Sequence, residues 1–139
     1  MIIGYTAGVY DLFHIGHLNV LRAAKVLCDR LIVAVSTDEL VVEMKGKTPI
    51  IPFIDRVAIV RAIRHADVVI PQRDRDKFLA WKRLKYNILF VGDDWFETKD
   101  WIEYERKLQE VGVQVVYLPY TRGTSSTELS EAVSKRLKL

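Results

Sequence analysis

His14 and His17 stand three residues apart with Gly16 between them, where a loop passes into a segment of helical apolar periodicity. Residues at this spacing share one face of a helix. At a helix start that face also carries unpaired backbone N–H groups and the positive end of the helix dipole, so an anion is already favoured there. Two imidazole N–H donors added to such a place suit a phosphoryl group under attack, stabilising its growing charge electrostatically rather than acting as nucleophiles. Two plainer readings compete: half of a zinc site, or solvated polar residues at a helix start. Zinc fits poorly, because the single cysteine, Cys28, lies in the helical core pattern Val26-Leu27-Cys28 and the third histidine, His65, falls at the far end of another expected helix.

Other segments carry anion chemistry of their own. Gly123-Thr124-Ser125-Ser126-Thr127-Glu128 places hydroxyls ahead of a glutamate at capping-box spacing. Capping alone explains that pattern, yet a glycine, four consecutive hydroxyls and open N–H groups at a helix start also form a phosphate cradle. Arg56 and Arg64 lie eight residues apart in one expected helix. That is about two turns, which gives two guanidiniums a common face for clamping phosphates. Gly92-Asp93-Asp94-Trp95 reads either as a plain turn or as a close backbone approach beside a carboxylate able to meet ribose or hold Mg2+ through water. Met44-Lys45-Gly46-Lys47-Thr48-Pro49 reads as a surface loop with two lysines.

Short β-branched runs alternate with longer amphipathic ones along the whole chain, the pattern of βαβ units in a parallel sheet. Strands are expected at Ile2–Thr6, Leu31–Ser36, Asp67–Ile70, Ile88–Val91 and Val113–Leu118. Helices are expected near Gly16–Asp29, Phe53–His65, Asp76–Lys85, Lys99–Glu110 and Ser126–Lys138. The expected fold class is therefore α/β, a doubly wound parallel five-stranded sheet forming one domain over residues 1–139. In such sheets ligands bind beyond the carboxyl ends of the strands, which is where these segments fall.

The chain has 139 residues, half of them hydrophobic, with 21 basic against 18 acidic residues for a net charge of +3. That length suits one core. The basic excess is too small and dispersed for a nucleic-acid surface, and there is no clustered basic face interleaved with aromatics. One cysteine allows no intramolecular disulfide, no apolar run approaches the roughly 20 residues of a membrane span, and no signal-peptide layout opens the chain. A cytoplasmic location is the expectation.

Gly8-Val9-Tyr10-Asp11-Leu12-Phe13-His14-Ile15-Gly16-His17 resembles the signature of the cytidylyltransferase family, a branch of the HxGH nucleotidyltransferases with a Rossmann-like fold. The likeness extends through Val35-Ser36-Thr37-Asp38-Glu39, the Arg56 to Arg64 segment, Val91-Gly92-Asp93-Asp94-Trp95 and Thr121-Arg122-Gly123-Thr124-Ser125-Ser126-Thr127. The resemblance implies in-line attack by a substrate phosphate on the α-phosphorus of a nucleoside triphosphate, releasing pyrophosphate without a covalent enzyme intermediate. It implies catalytic roles for His14, His17, Lys45 and Arg64. Nucleotide contacts are implied for Ala7, Gly8, Val9, Arg56, Gly92, Asp94, Thr121, Arg122, Thr124, Ser125, Ser126 and Thr127, and acceptor contacts for Asp11, Lys47 and Trp95. Here the chain departs from the family pattern, because Tyr120 occupies the usual place of an arginine and Arg122 stands two residues along.

The cytidylyl branch points to CTP as donor, with Mg2+ bound to the triphosphate and no protein metal site. The compact chain resembles the branch that takes glycerol 3-phosphate and makes CDP-glycerol, and family members are commonly homodimers. Two alternatives stand beside this reading: an ATP-using adenylyltransferase of the same fold, and a catalytically silent nucleotide-binding regulatory module.

Overall fold

The computed structural model describes residues 1–92 and 99–119. Within them the order is β1 (Ile3–Gly8), α1 (Ile15–Val26), β2 (Arg30–Ser36), α2 (Asp38–Lys45), α3 (Phe53–Arg61), β3 (Val68–Gln72), α4 (Lys77–Leu84), β4 (Ile88–Gly92), α5 (Lys99–Glu110) and β5 (Gln114–Leu118). All five strands are parallel, in the order β3-β2-β1-β4-β5. The expected fold class is the observed one, and each expected strand is present with no end moved by more than two residues. The helix expected at 126–138 lies outside the described residues.

Strands buried on both faces must be apolar throughout, and β2 is: Leu31 to Val35 are buried, as is Ser36 at its end. One face packs Leu31, Val33, Val35 and Phe90 against Leu21 and Ala24 of α1 and Val57 and Val60 of α3. The other packs Tyr5, Ile32, Ala34, Leu89 and Val91 against Trp101 and Leu108 of α5 and the partly buried Phe78, Trp81 and Leu84 of α4. The helix leaving β1 thus covers one face and the helix following β4 covers the other. Because β1 and β4 are neighbours, the crevice beyond Gly8 and Gly92 is the switch point of the sheet, where a doubly wound fold leaves room for a ligand. The edge strand β3 contains Pro71, paired in register with Val35.

Two helical expectations are corrected. A loop was expected from Met44 to Pro49, but α2 runs from Asp38 to Lys45, so Met44 and Lys45 are helical. Thr37 caps it by accepting from the Leu40 N–H at 3.1 Å, Asp38 and Glu39 fill its first turn, and Gly46 ends it in the left-handed region at φ +74°. The helix starting at Phe53 stops at Arg61 instead of reaching His65. Its last turn tightens into i to i+3 bonds from Ala62 to Ile59 and from Ile63 to Val60, which spend the carbonyls a longer helix would need.

Replacing Thr37 by alanine is expected to cost about 1 kcal/mol of stability, with serine retaining most of it. Urea unfolding midpoints of the two variants check this, and an unchanged midpoint in the alanine variant would show that the cap does not hold α2.

Candidate active site

The two histidines meet. Their rings stack with centroids 4.0 Å apart at 29°. His14 is the N-cap of α1: its Nδ1 accepts from the Gly16 N–H at 3.0 Å, and the His14 N–H donates back to Nδ1 of His17 at 3.1 Å. A ring nitrogen that accepts carries no proton, so the backbone fixes both neutral imidazoles as Nε2–H tautomers. Nε2 of His14 is buried and has no hydrogen-bond partner among the described residues. No acidic residue occupies the first turn of α1, so the positive end of the helix is not offset there.

Aromatic rings pack against His17 and shield it in part from water. Tyr10 lies edge-on to His17 with centroids 5.4 Å apart, and Phe13 lies 5.1 Å from the same ring. This desolvation, with the His14 ring close by, brings the His17 pKa from 6.5 down to about 3. Burial lowers that of His14 as well. Both rings are therefore neutral hydrogen-bond donors near pH 7, which excludes neither from steadying a phosphate oxyanion.

The loop bringing them there is strained. Tyr10 and Leu12 adopt φ of +56° and +49°, a region non-glycine residues rarely occupy and that concentrates at functional sites. Tyr10 is held by burial and by hydrogen bonding to Thr6, whose hydroxyl donates to the Phe90 carbonyl. Gly8 lets the ring in: a Cβ at that position would lie 3.0 Å from Cε2 of Tyr10. Ala7 and Gly8 close β1, Val9 follows, and Gly92 closes β4, so these four line the mouth of the switch point.

Lys45, the last residue of α2, and Lys47, in the loop after it, are both exposed. Three further expectations are redirected. Arg56 is 0% exposed, and its guanidinium donates inward: Nε to the Ile51 carbonyl at 2.9 Å, Nη1 to the carbonyls of Val9 and Ser36 at 2.7 Å each, and Nη2 to Asp38 Oδ1 at 2.6 Å. A group so enclosed is a brace and not a phosphate clamp. Arg64 does not share a helix face with it, since α3 ends three residues earlier. It sits in the exposed turn leading to β3, just before the Asp67 N–H meets the Leu31 carbonyl at the amino end of β2. His14 follows the carboxyl end of β1, where Gly8 pairs with Val35, so roughly four strand residues, on the order of 13 Å, separate the two levels. Arg64 thus stands at the opposite end of the sheet from the histidines. Asp11 is buried, and its two carboxylate oxygens accept from the backbone N–H groups of Ile50 and Ile51 at 2.8 and 2.9 Å. The expectations for Asp94, Trp95, Thr121, Arg122, Thr124, Ser125, Ser126 and Thr127 fall outside the described residues.

The structure thus brings His14 and His17 together as a stacked, neutral pair at a helix start that follows the carboxyl end of β1. The model for cytidylyltransferase-like proteins matches residues 5–132. The chain belongs to the cytidylyltransferase-like family. It is 37% identical over 131 residues to an FAD synthase of Pyrococcus horikoshii, covering 92% of this chain and 87% of that protein. It is 35% identical over 136 residues to a glycerol-3-phosphate cytidylyltransferase of Bacillus subtilis, covering 93% and 95% of the two chains. A crystal structure of a lipopolysaccharide core biosynthesis protein from Thermoplasma volcanium superposes with a TM-score of 0.70 at 27% identity, covering 89% of this chain and 99% of that one. These relatives make the chain an enzyme of the nucleotidyltransferase type.

As a member of this family the chain carries features that the residue types did not disclose. Tyr10 and Phe13 desolvate His17, and Asp38 neutralises the buried Arg56. Aromatics at positions 10 and 13 ahead of the histidine at 17 were the available signal for the first. A cavity of about 520 Å³ between α4 and β3, lined by Ile70, Gln72, Arg73 and Arg83 among others, includes no residue of the histidine loop.

The depressed His17 pKa has a stability consequence. Above pH 6.5 the ring is neutral in both folded and unfolded chains, and its contribution is fully present. Below it the unfolded chain takes up a proton that the fold refuses, so stability is lost as pH falls from 6.5 toward 3, by up to about 1.4 kcal/mol per pH unit. Urea midpoints at pH 7 and pH 5 are expected to fall more steeply for the parent than for His17→Asn, and equal slopes would refute the desolvated imidazole.

Proposed function

We propose that the chain transfers CMP from CTP to the phosphate of a small phosphorylated alcohol, glycerol 3-phosphate first among them, releasing pyrophosphate. The observation that carries this reading is the stacked pair of Nε2–H imidazoles at the start of α1, beside the sheet's switch point. An acceptor phosphate oxygen attacks the α-phosphorus, the bond to the bridging oxygen of the β-phosphate breaks, and pyrophosphate leaves with its electron pair. The imidazoles donate hydrogen bonds to the α-phosphoryl oxygens, whose charge grows in the transition state, and supply no covalent bond. Lys45 and Lys47 bring positive charge to the phosphates as flexible point charges. The hydroxyl-rich segment 123–127 and Gly92 complete the nucleotide's surroundings in this reading, with Asp94 toward the nucleoside and Trp95 toward the acceptor.

Magnesium enters with the triphosphate. In this reading the oxygen ligands that Mg2+ prefers would come from the phosphates and water. When bound it neutralises the leaving pyrophosphate.

A second reading is favoured by the FAD synthase likeness at 37% identity. FAD is AMP joined through a pyrophosphate to flavin mononucleotide, so the same site would use ATP and a much larger acceptor. The preference for CTP rests on the near full-length match to the Bacillus protein and on the Gly92-Asp93-Asp94-Trp95 and 123–127 segments.

Pyrophosphate release measured with CTP and ATP against glycerol 3-phosphate, related phosphorylated alcohols and flavin mononucleotide separates the two. Turnover with CTP and a phosphorylated alcohol is expected, and turnover with ATP alone would sink the cytidylyl assignment. In His17→Ala, kcat is expected to fall on the order of 100- to 1000-fold while nucleotide binding persists. Absence of turnover in the parent with every pair would point instead to a silent nucleotide-binding module.

A further inference from the structure

Two charged side chains, both buried, converge on two adjacent residues of the loop that follows α2, Ile50 and Ile51. Asp11 accepts from the N–H groups of Ile50 and Ile51, and Arg56 donates to the Ile51 carbonyl. The same guanidinium holds the carbonyl of Val9 in the histidine loop and that of Ser36 at the end of β2, and Asp38 at the head of α2 both pairs with it and accepts from the Phe53 N–H. Each of these groups would be costly to bury unmatched, so the hydrogen bonds fasten the loop instead of decorating it.

What the fastening controls follows from chain length. At one end of the loop the Gly46 N–H is bonded to Val42 at the end of α2, and at the other Ile50 is bonded to Asp11. Residues 46–49 therefore form an arch pinned at both ends. Lys47 lies three residues from Ile50, so its Cα stays within about 11 Å of that latched residue. Ile50 itself hangs on Asp11, three residues before His14.

We propose that Asp11 and Arg56 are positioning residues that latch Ile50 and Ile51 to the histidine loop and thereby hold Lys45 and Lys47 beside the triphosphate site. Neither touches the nucleotide; both act through the lysines. The inference rests on the triphosphate reading of the site but not on turnover or on the choice of donor base.

The test is a double-mutant cycle read by calorimetric affinity for CTP and for ATP. Asp11→Asn and the paired Lys45→Ala/Lys47→Ala variant are each expected to weaken binding of the better nucleotide about 10-fold or more, because misplaced loop charge no longer meets the phosphates. Combined, the three substitutions are expected to bind within about twofold of the lysine variant alone, because a latch has nothing left to position once its lysines are gone. Multiplicative losses would mean that Asp11 reaches the ligand independently, and would overturn the proposal.

Amide hydrogen exchange supplies a readout that does not involve nucleotide. In Asp11→Asn, protection of the Ile50 and Ile51 amides should drop while that of β1 and β2 persists. A global loss of protection would mean that the variant had unfolded, and a second variant then decides the matter. Inserting Gly-Gly after Thr48 slackens the arch without touching the latch, and surface loops tolerate such insertions. It should weaken triphosphate binding as the lysine variant does; full affinity in the insertion variant would overturn the proposal. A parent that binds triphosphate without turnover would refute the functional reading while leaving the latch standing.

Discussion

A guanidinium with no exposure to water can persist only if its donors are met, and Arg56 is such a group. Its needs dictate the layout around it. The carbonyls of Val9, Ser36 and Ile51 and the carboxylate of Asp38 must all arrive at one point, which draws together the ends of β1 and β2, the head of α2 and the loop before α3. The charge buried at the centre turns a set of loops, the parts of a fold that are ordinarily most variable, into a fixed rim for the crevice at the switch point.

On that rim the histidine loop can afford its strained backbone. Left-handed φ values at Tyr10 and Leu12 are sustained because the Val9 carbonyl, the Asp11 carboxylate and the Tyr10 ring are each anchored elsewhere. The strain in turn aims the imidazoles, and burial keeps them uncharged. In the proposed function, such a neutral, preoriented Nε2–H donor would meet a phosphate oxyanion with little reorientation, folding having done part of the reorganisation that water would undergo.

The sequence disclosed this arrangement unevenly. Strand alternation and the three-residue spacing of His14 and His17 are local signals, and both were legible because burial and helix geometry act on neighbouring letters. The tautomers and the stacking were not, since they depend on backbone N–H groups that no letter denotes. The same applies to Asp11 and Arg56. Their residue types suggest ligand contacts, but their partners are peptide groups distant in sequence. Arg64 misled because the helical pattern continues past Arg61 while the hydrogen bonds do not. At α2, Leu40-Val41-Val42 reads as β-prone, yet Thr37, Asp38, Glu39 and Gly46 mark a capped helix on either side, and the caps outweighed the propensity.

Pro71 in the outer strand bears on how this sheet can grow. The Gln72 carbonyl faces inward, accepting from the Thr37 N–H, and in a parallel strand successive residues direct their polar groups to alternate sides. The ring nitrogen of Pro71 therefore faces away from β2, on the flank where β3 has no neighbour among the described residues. An incoming strand, whether from another polypeptide or from an unfolding copy of this one, would find a donor missing and a pyrrolidine in its path at the fourth position of a five-residue edge. This flank is blunted against β-augmentation and runaway fibril growth, which leaves helical surfaces or the opposite edge for any contact between copies.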